Sequence, residues 1–198
     1  MLKNITLKKA LPYLYIVFGI IGLVAAFVLM QDILSLAKNP EFIPNCNINP
    51  IISCGTVMKT KTADALGFPN PFVGLAAFSS IITLGVAMLA GAKFKKWFWL
   101  LAELGTFAGV VFVHYLFIQS VYHIHALCPY CMGVWVATIG LFVYTTVSNL
   151  RAGYLGKWAQ KNLTFIQKHH TDIYVLWLLI IAGLILKHFW YYFGRNFH

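Results

Sequence analysis

The stretch from Cys128 to Val147 carries no charged residue, and about 20 such residues is the length at which a helix crosses the hydrocarbon of a bilayer. Comparable apolar runs occupy about 10–31, 71–92, 97–122 and 173–193. Lipid offers no partner to backbone N–H and C=O groups, so segments of this kind are expected to be helices. The first run is longer than the roughly 7–15 apolar residues of a cleavable signal and reads as a retained span. With 60% hydrophobic and 10% charged residues over 198 positions, the whole chain, 1–198, is expected to form a single integral membrane domain of the all-α class.

A net charge of +10 would suggest nucleic acid in a soluble protein. Here the lysines cluster between apolar runs as they do in cytoplasmic loops, so the charge reads as topology, with membrane lipid and not nucleic acid as the partner. With the amino terminus inside, the inner segments collect Lys3, Lys8, Lys9, Lys93, Lys95, Lys96, Arg151, Lys157, Lys161 and Lys168. The outer segments hold Lys38, Lys59, Lys61, Lys187 and Arg195, and Asp32, Glu41 and Asp64 offset three of these. This bias places the connection 32–70 and the start of the fourth run on the outer face. Lys187 and His188 interrupt the fifth run beside Phe189, Trp190, Tyr191 and Tyr192, which suit a membrane interface.

Cys128-Pro129-Tyr130-Cys131 opens the fourth run. Proline is tolerated in the first helical turn, and thiols three apart share one face. The positive end of the helix dipole favours thiolate over thiol, which makes the pair reactive. By itself the motif leaves three readings open: redox chemistry, a zinc site, or inert packing. The other two cysteines, Cys46 and Cys54, lie in the long outer connection, where an oxidising compartment would meet all four thiols. Asn49 can cap and Pro50 can begin a short helix near 50–59, with Ile51, Cys54 and Met58 on its apolar stripe. Cys54 is then expected to point into the bundle. Cys46, among Pro40, Pro44, Asn45 and Asn47, is expected to stay accessible at the surface. Glu103, His114 and His125, eleven apart, would share one face of a continuous third helix. They could pass protons or bind haem. The plainer reading has Glu103 near the inner end, His125 near the outer surface, and His114 as a neutral histidine bonded to a neighbouring helix. His169 and His170 inside, and His188 and His198 outside, read as interfacial.

The combination of Cys46 and Cys54 with Ser53 between them, Thr60, Asn70 followed by Gly74 at the start of the second run, and Cys128-x-x-Cys131 resembles the vitamin K epoxide reductase family. Specifically it looks like the bacterial homologues that oxidise thioredoxin-like partners with a membrane quinone, and the resemblance covers roughly Ala10 to Val147. The resemblance implies a four-helix transmembrane bundle around a quinone, ubiquinone or menaquinone, with the fifth helix peripheral. It implies localisation in the bacterial inner membrane and support of disulfide formation. Cys131 would lie beside the quinone ring, Asn70 would donate a hydrogen bond to a quinone oxygen, and Thr60 matches a family position in the same loop. Electrons would pass from Cys46 and Cys54 to Cys128 and Cys131. Where the vertebrate epoxide-reducing members have a tyrosine, this chain has Trp135, expected to restrict the quinone pocket without doing chemistry. Many bacterial members fuse a thioredoxin domain after the fifth span. This chain ends at His198, so a separate thioredoxin-like protein is the expected partner. The alternative is a non-enzymatic membrane protein whose four thiols bind or transport a metal, which would need all four sulfurs to converge at once.

Overall fold

The computed structural model describes residues 2–156 and 163–193. Lys157, Lys161, Arg195 and His198 lie outside them. Among the described residues the protein is all-α, with five helices long and apolar enough to cross a membrane. They are α1 (Leu2–Lys38), α3 (Pro71–Leu89), α4 (Lys96–Ile118), α5 (Pro129–Arg151) and α6 (Leu163–His188). Two short helices, α2 (Cys54–Met58) and α7 (Trp190–Phe193), complete the set, with a 3-10 turn at Lys61–Asp64 after α2.

The first span is longer than its apolar run because nothing after Met30 breaks a helix until Pro40. The fifth differs at both ends from the expected 173–193. Its bilayer-length part is Phe165–His188, since the polar stretch Gln167–Asp172 is compatible with a helix, kinked at His169 and tied by His169 to Asp172 at 2.7 Å. Lys187 and His188 end this helix and do not interrupt a span.

α5 is the central element. It packs on α1, α4 and α6, and α3 packs on α1. One apolar cluster joins Phe117 of α4, Trp135 and Ile139 of α5, and Ile181 and Ile185 of α6. Another joins Tyr15 of α1, Phe78 of α3 and Tyr144 of α5. Lipid removes most of the hydrophobic drive for helices to associate, so close backbone approach and interhelical hydrogen bonds carry more of the specificity. Tyr15 shares a 2.6 Å hydrogen bond with Thr145, and Glu103 accepts from Thr146 at 2.6 Å and from Asn149 at 2.8 Å. At about 0.6 kcal/mol each, such bonds matter as a set.

Gly85 lets α3 lie against α1: a Cβ there would stand 2.9 Å from the carbonyl oxygen of Pro12 and 2.8 Å from Ile16. Because one obstacle is backbone, Gly85→Val is expected to destabilise the bundle by about 1–3 kcal/mol. A lowered denaturation midpoint in detergent is the measurement, and an unchanged midpoint would show that α1 and α3 separate freely.

The third span is not one continuous α-helix. Beyond Ile118 it continues as a π-helical turn, Gln119–Ile124, and ends at His125 in the left-handed region with φ 56°. Glu103, His114 and His125 therefore do not form one face. Glu103 binds α5. His114 donates from Nδ1 to the Val110 carbonyl and accepts at Nε2 from Trp177 of α6 at 3.0 Å, which makes it a neutral ring bonded to a neighbouring helix. His125 stacks on His188 with rings 5° apart and shares a 2.9 Å hydrogen bond with it, tying the end of α6 to the loop before α5.

Candidate functional site

All four cysteines meet at one end of the bundle. Lys93, Lys95, Lys96 and Arg151 mark the other, at the end of α3, the start of α4 and the end of α5. Cys128 is the N-cap of α5 with Pro129 at the first helical position, and its Sγ accepts from the Cys131 N–H at 3.3 Å. The Cys131 thiol, helped by the N–H groups of Cys131 and Tyr130, holds the Cys128 thiol below its ordinary range, against the opposing effects of burial and of Asp32. A thiolate at Cys128 is thus favoured where an exchange reaction would use it.

Cys46 and Cys54 are joined in a disulfide with Cα atoms 5.6 Å apart, while Cys128 and Cys131 are free. The disulfide lies directly on the second pair, since Leu29, Cys46, Cys54 and Cys128 form one buried cluster with Cys131 against it. Cys46 is only 6% exposed, which corrects the expectation of an accessible surface thiol. Bonding to Cys54 draws it into the cluster despite its proline- and asparagine-rich surroundings.

The short helix also differs from expectation, starting at Cys54 and not near Pro50. Asn49 does cap, but its Oδ1 takes the N–H groups of Ile51 and Ile52 in a turn that stops short of a helix, and Ser53 caps α2 through the N–H of Thr56. The reason lies across the loop. Ile52 and Leu127 form a parallel backbone bridge, in which Ser53 N–H donates to Leu127 C=O at 2.9 Å and Leu127 N–H donates to Ile51 C=O at 2.6 Å. Ile51–Ser53 is therefore extended, and the bridge sets the residues just before Cys54 beside the residue just before Cys128. Asn47, which in the sequence stands only as one of the turn formers around Cys46, accepts at Oδ1 from Gly55 N–H at 2.9 Å and from the Ser53 hydroxyl at 3.2 Å.

Beneath the sulfurs lies an apolar cavity of about 370 Å³ among α1, α3, α4 and α5. Cys54, Cys128 and Cys131 line its upper end, with Thr106 and Thr138 deeper. Its size and few polar groups are those of a small-molecule site. α3 and α4 both line it, but α3 packs on α1 and α4 on α5, and they do not pack closely on each other. Asn70 is at the lining, its amide donating to Thr62 C=O at 2.7 Å and accepting from Ala65 N–H, so it also pins the 3-10 turn. Trp135 also lines the cavity, 3% exposed and edge-on to Phe117 with centroids 5.3 Å apart. Thr60 does not line it. Its hydroxyl donates to Val57 C=O at 2.7 Å, closing the turn that presents Thr62 and Ala63 to the cavity.

The profile of the vitamin K epoxide reductase family matches residues 13–146, which takes in all four cysteines, the cavity and most of the first four spans. The chain belongs to the vitamin K epoxide reductase family. No curated protein matches it. Family membership makes this an integral membrane oxidoreductase and suggests quinone-linked disulfide chemistry.

Proposed function

We propose that the protein is a thiol:quinone oxidoreductase that reoxidises a separate thioredoxin-like partner on the outer face of the bacterial inner membrane, and so supports disulfide formation. The observation that carries this is the packing of the Cys46–Cys54 disulfide on Cys128, with Cys128 and Cys131 facing the apolar cavity. In the reaction, a partner thiolate attacks Cys46 and Cys54 leaves as a thiolate, which attacks Cys128 of an oxidised Cys128–Cys131 pair and releases Cys131. The second partner thiol then attacks the mixed disulfide, so the partner departs oxidised and Cys46 becomes free. Cys46 closes again on Cys54, leaving Cys128 and Cys131 reduced. A disulfide at Cys46–Cys54 with thiols at Cys128 and Cys131 corresponds to the stage at which electrons have moved inward. The burial of Cys46 requires its turn to open for the first attack.

The cavity fits a quinone ring: it is apolar, it meets Cys131 at one end, and the Asn70 amide has a second N–H besides the one held by Thr62. A bound quinone supplies a two-electron, two-proton acceptor. The chain's residues bring Cys131 to it, orient it from Asn70, and exclude water with the apolar walls. Trp135 narrows the space beside Cys131. The metal-binding alternative is not favoured, since a closed tetrahedral site would need all four sulfurs and two are bonded to each other.

The test is to mix fully reduced protein anaerobically with a short-chain ubiquinone or menaquinone analogue and follow quinone absorbance. One equivalent should be reduced per Cys128–Cys131 disulfide formed, and no reduction of either analogue would overturn the assignment. Trp135→Phe in this assay is expected to raise the quinone KM about three- to tenfold, as loss of an apolar contact of about 1 kcal/mol does, with little change in kcat. Complete loss of turnover would mean that Trp135 takes part in the chemistry.

A further inference from the structure

We propose that Asn47 is a positioning residue for the first cysteine pair, holding the turn that carries Cys46 against the start of α2 so that the two sulfurs stay partners when the bond between them is open. Asn47 follows Cys46 in the chain, and its Oδ1 accepts from the two residues that flank Cys54: the hydroxyl of Ser53 and the N–H of Gly55. Its own N–H donates to Pro44 C=O at 3.0 Å, closing the turn around Cys46. None of these bonds passes through sulfur, so the clamp survives reduction.

Gly55 supports the same assignment independently. A Cβ at Gly55 would stand 2.9 Å from Asn47 Nδ2 and 3.3 Å from Oδ1, so the absence of a side chain there is what admits the amide. Ser53 is held in turn by Thr56, with 2.8 Å between hydroxyl oxygens. In the reduced state the clamp lowers the entropy that closing the turn would otherwise cost. The disulfide and the clamp close the same turn, so in the oxidised state the clamp forms without meeting that cost and contributes more than it does in the reduced state. Losing it therefore disfavours re-formation of the bond and makes the pair a stronger oxidant. The second half of the loop keeps its own ties, with Ile48 and Asn49 N–H both donating to Ile52 C=O, so the effect is graded.

The proposal rests on the thiol relay only for its consequence in turnover, and its test needs neither partner nor quinone. In full-length protein with Cys128→Ser and Cys131→Ser, the Cys46–Cys54 pair is equilibrated with glutathione and its disulfide. Two glutathione thiols give up two electrons and two protons, forming glutathione disulfide as Cys46 and Cys54 become thiols. The oxidised fraction is read by alkylation and mass spectrometry. Asn47→Ala should lower the equilibrium constant for the disulfide about three- to tenfold, which is about 14–30 mV less negative in a two-electron couple. Asn47→Asp retains an acceptor oxygen and should stay within about twofold of the parent, a rescue that loss of side-chain bulk alone would not give. Gly55→Ala should shift the potential in the same direction, and adding it to Asn47→Ala should bring little further change, because both remove one contact. If Asn47→Ala does not accumulate, Gly55→Ala gives the same reading, with Asn47→Asp as the unshifted control. An unshifted potential in Asn47→Ala or in Gly55→Ala, or full additivity of the two, would overturn the proposal. A failure of quinone reduction elsewhere would leave this shift intact.

Discussion

Cys54→Ala should hold its partner as a mixed disulfide through Cys46, formed when the Cys46 thiolate attacks the disulfide of the oxidised partner and frees the partner's second thiol, and partner oxidation should fall at least about 10³-fold, since the intramolecular step that Cys54 supplies is lost. The adduct forms on Cys46 only if Cys46 is the sulfur that exchanges with the partner and Cys54 the one that bonds to it within the protein. The structure favours that order, because Cys54 is the fully buried member, at 0% exposure, and lines the cavity end shared with Cys128 and Cys131. Cys46→Ala should give no adduct. The measurement is mass spectrometry of alkylated, non-reduced protein recovered from cells. An adduct mapped to Cys54 in the Cys46→Ala variant would reverse the two roles.

Cys46→Ala combined with Cys131→Ala should leave an internal Cys54–Cys128 disulfide, formed nearly to completion under oxidising conditions. A disulfide needs Cα atoms within about 7 Å, and here that closeness is a property of the backbone. Ser53 and Leu127, each immediately before one of the two cysteines, are joined by a 2.9 Å hydrogen bond in the parallel bridge. Neither substitution touches that bridge, so the bond should form without rearrangement. Its absence, with Cys54 and Cys128 both recovered as free thiols and activity intact in the single variants, would remove the internal relay.

The bilayer-length runs and the opening of α5 were legible because they depend on properties carried in consecutive residues. Uncharged length specifies a span, and Cys128-Pro129 before an apolar run is a helix start at which Pro129 needs no N–H donor. What was not legible depends on distant partners. Two residues, Ile51 and Ile52, have no period to read, so nothing local showed that they would extend to meet Leu127, and Asn49-Pro50 looked like the start of the helix that Ser53 in fact caps. The Ser53 and Thr56 pair was the signal that could have placed it. Cys46 looked exposed because its neighbours are turn formers, whereas its burial follows from a bond to a residue eight positions away. The eleven-residue spacing of Glu103, His114 and His125 assumed an unbroken α-helix, and the π turn after Ile118 changes the count. Asn70, Trp135 and Thr60 came from family likeness, and the structure sets Asn70 and Trp135 at the cavity but Thr60 in the turn behind it.

The lack of close packing between α3 and α4 bears on how the protein would respond to its surroundings. A hydrophobic substrate arriving by that side would never be dissolved in water. Its relevant concentration would be its mole fraction among lipids, and saturation would track the quinone-to-lipid ratio at any dilution of the vesicles. Lipids with bulkier or more ordered chains would compete for the same gap, making acyl-chain composition a regulator of turnover without any binding site of its own.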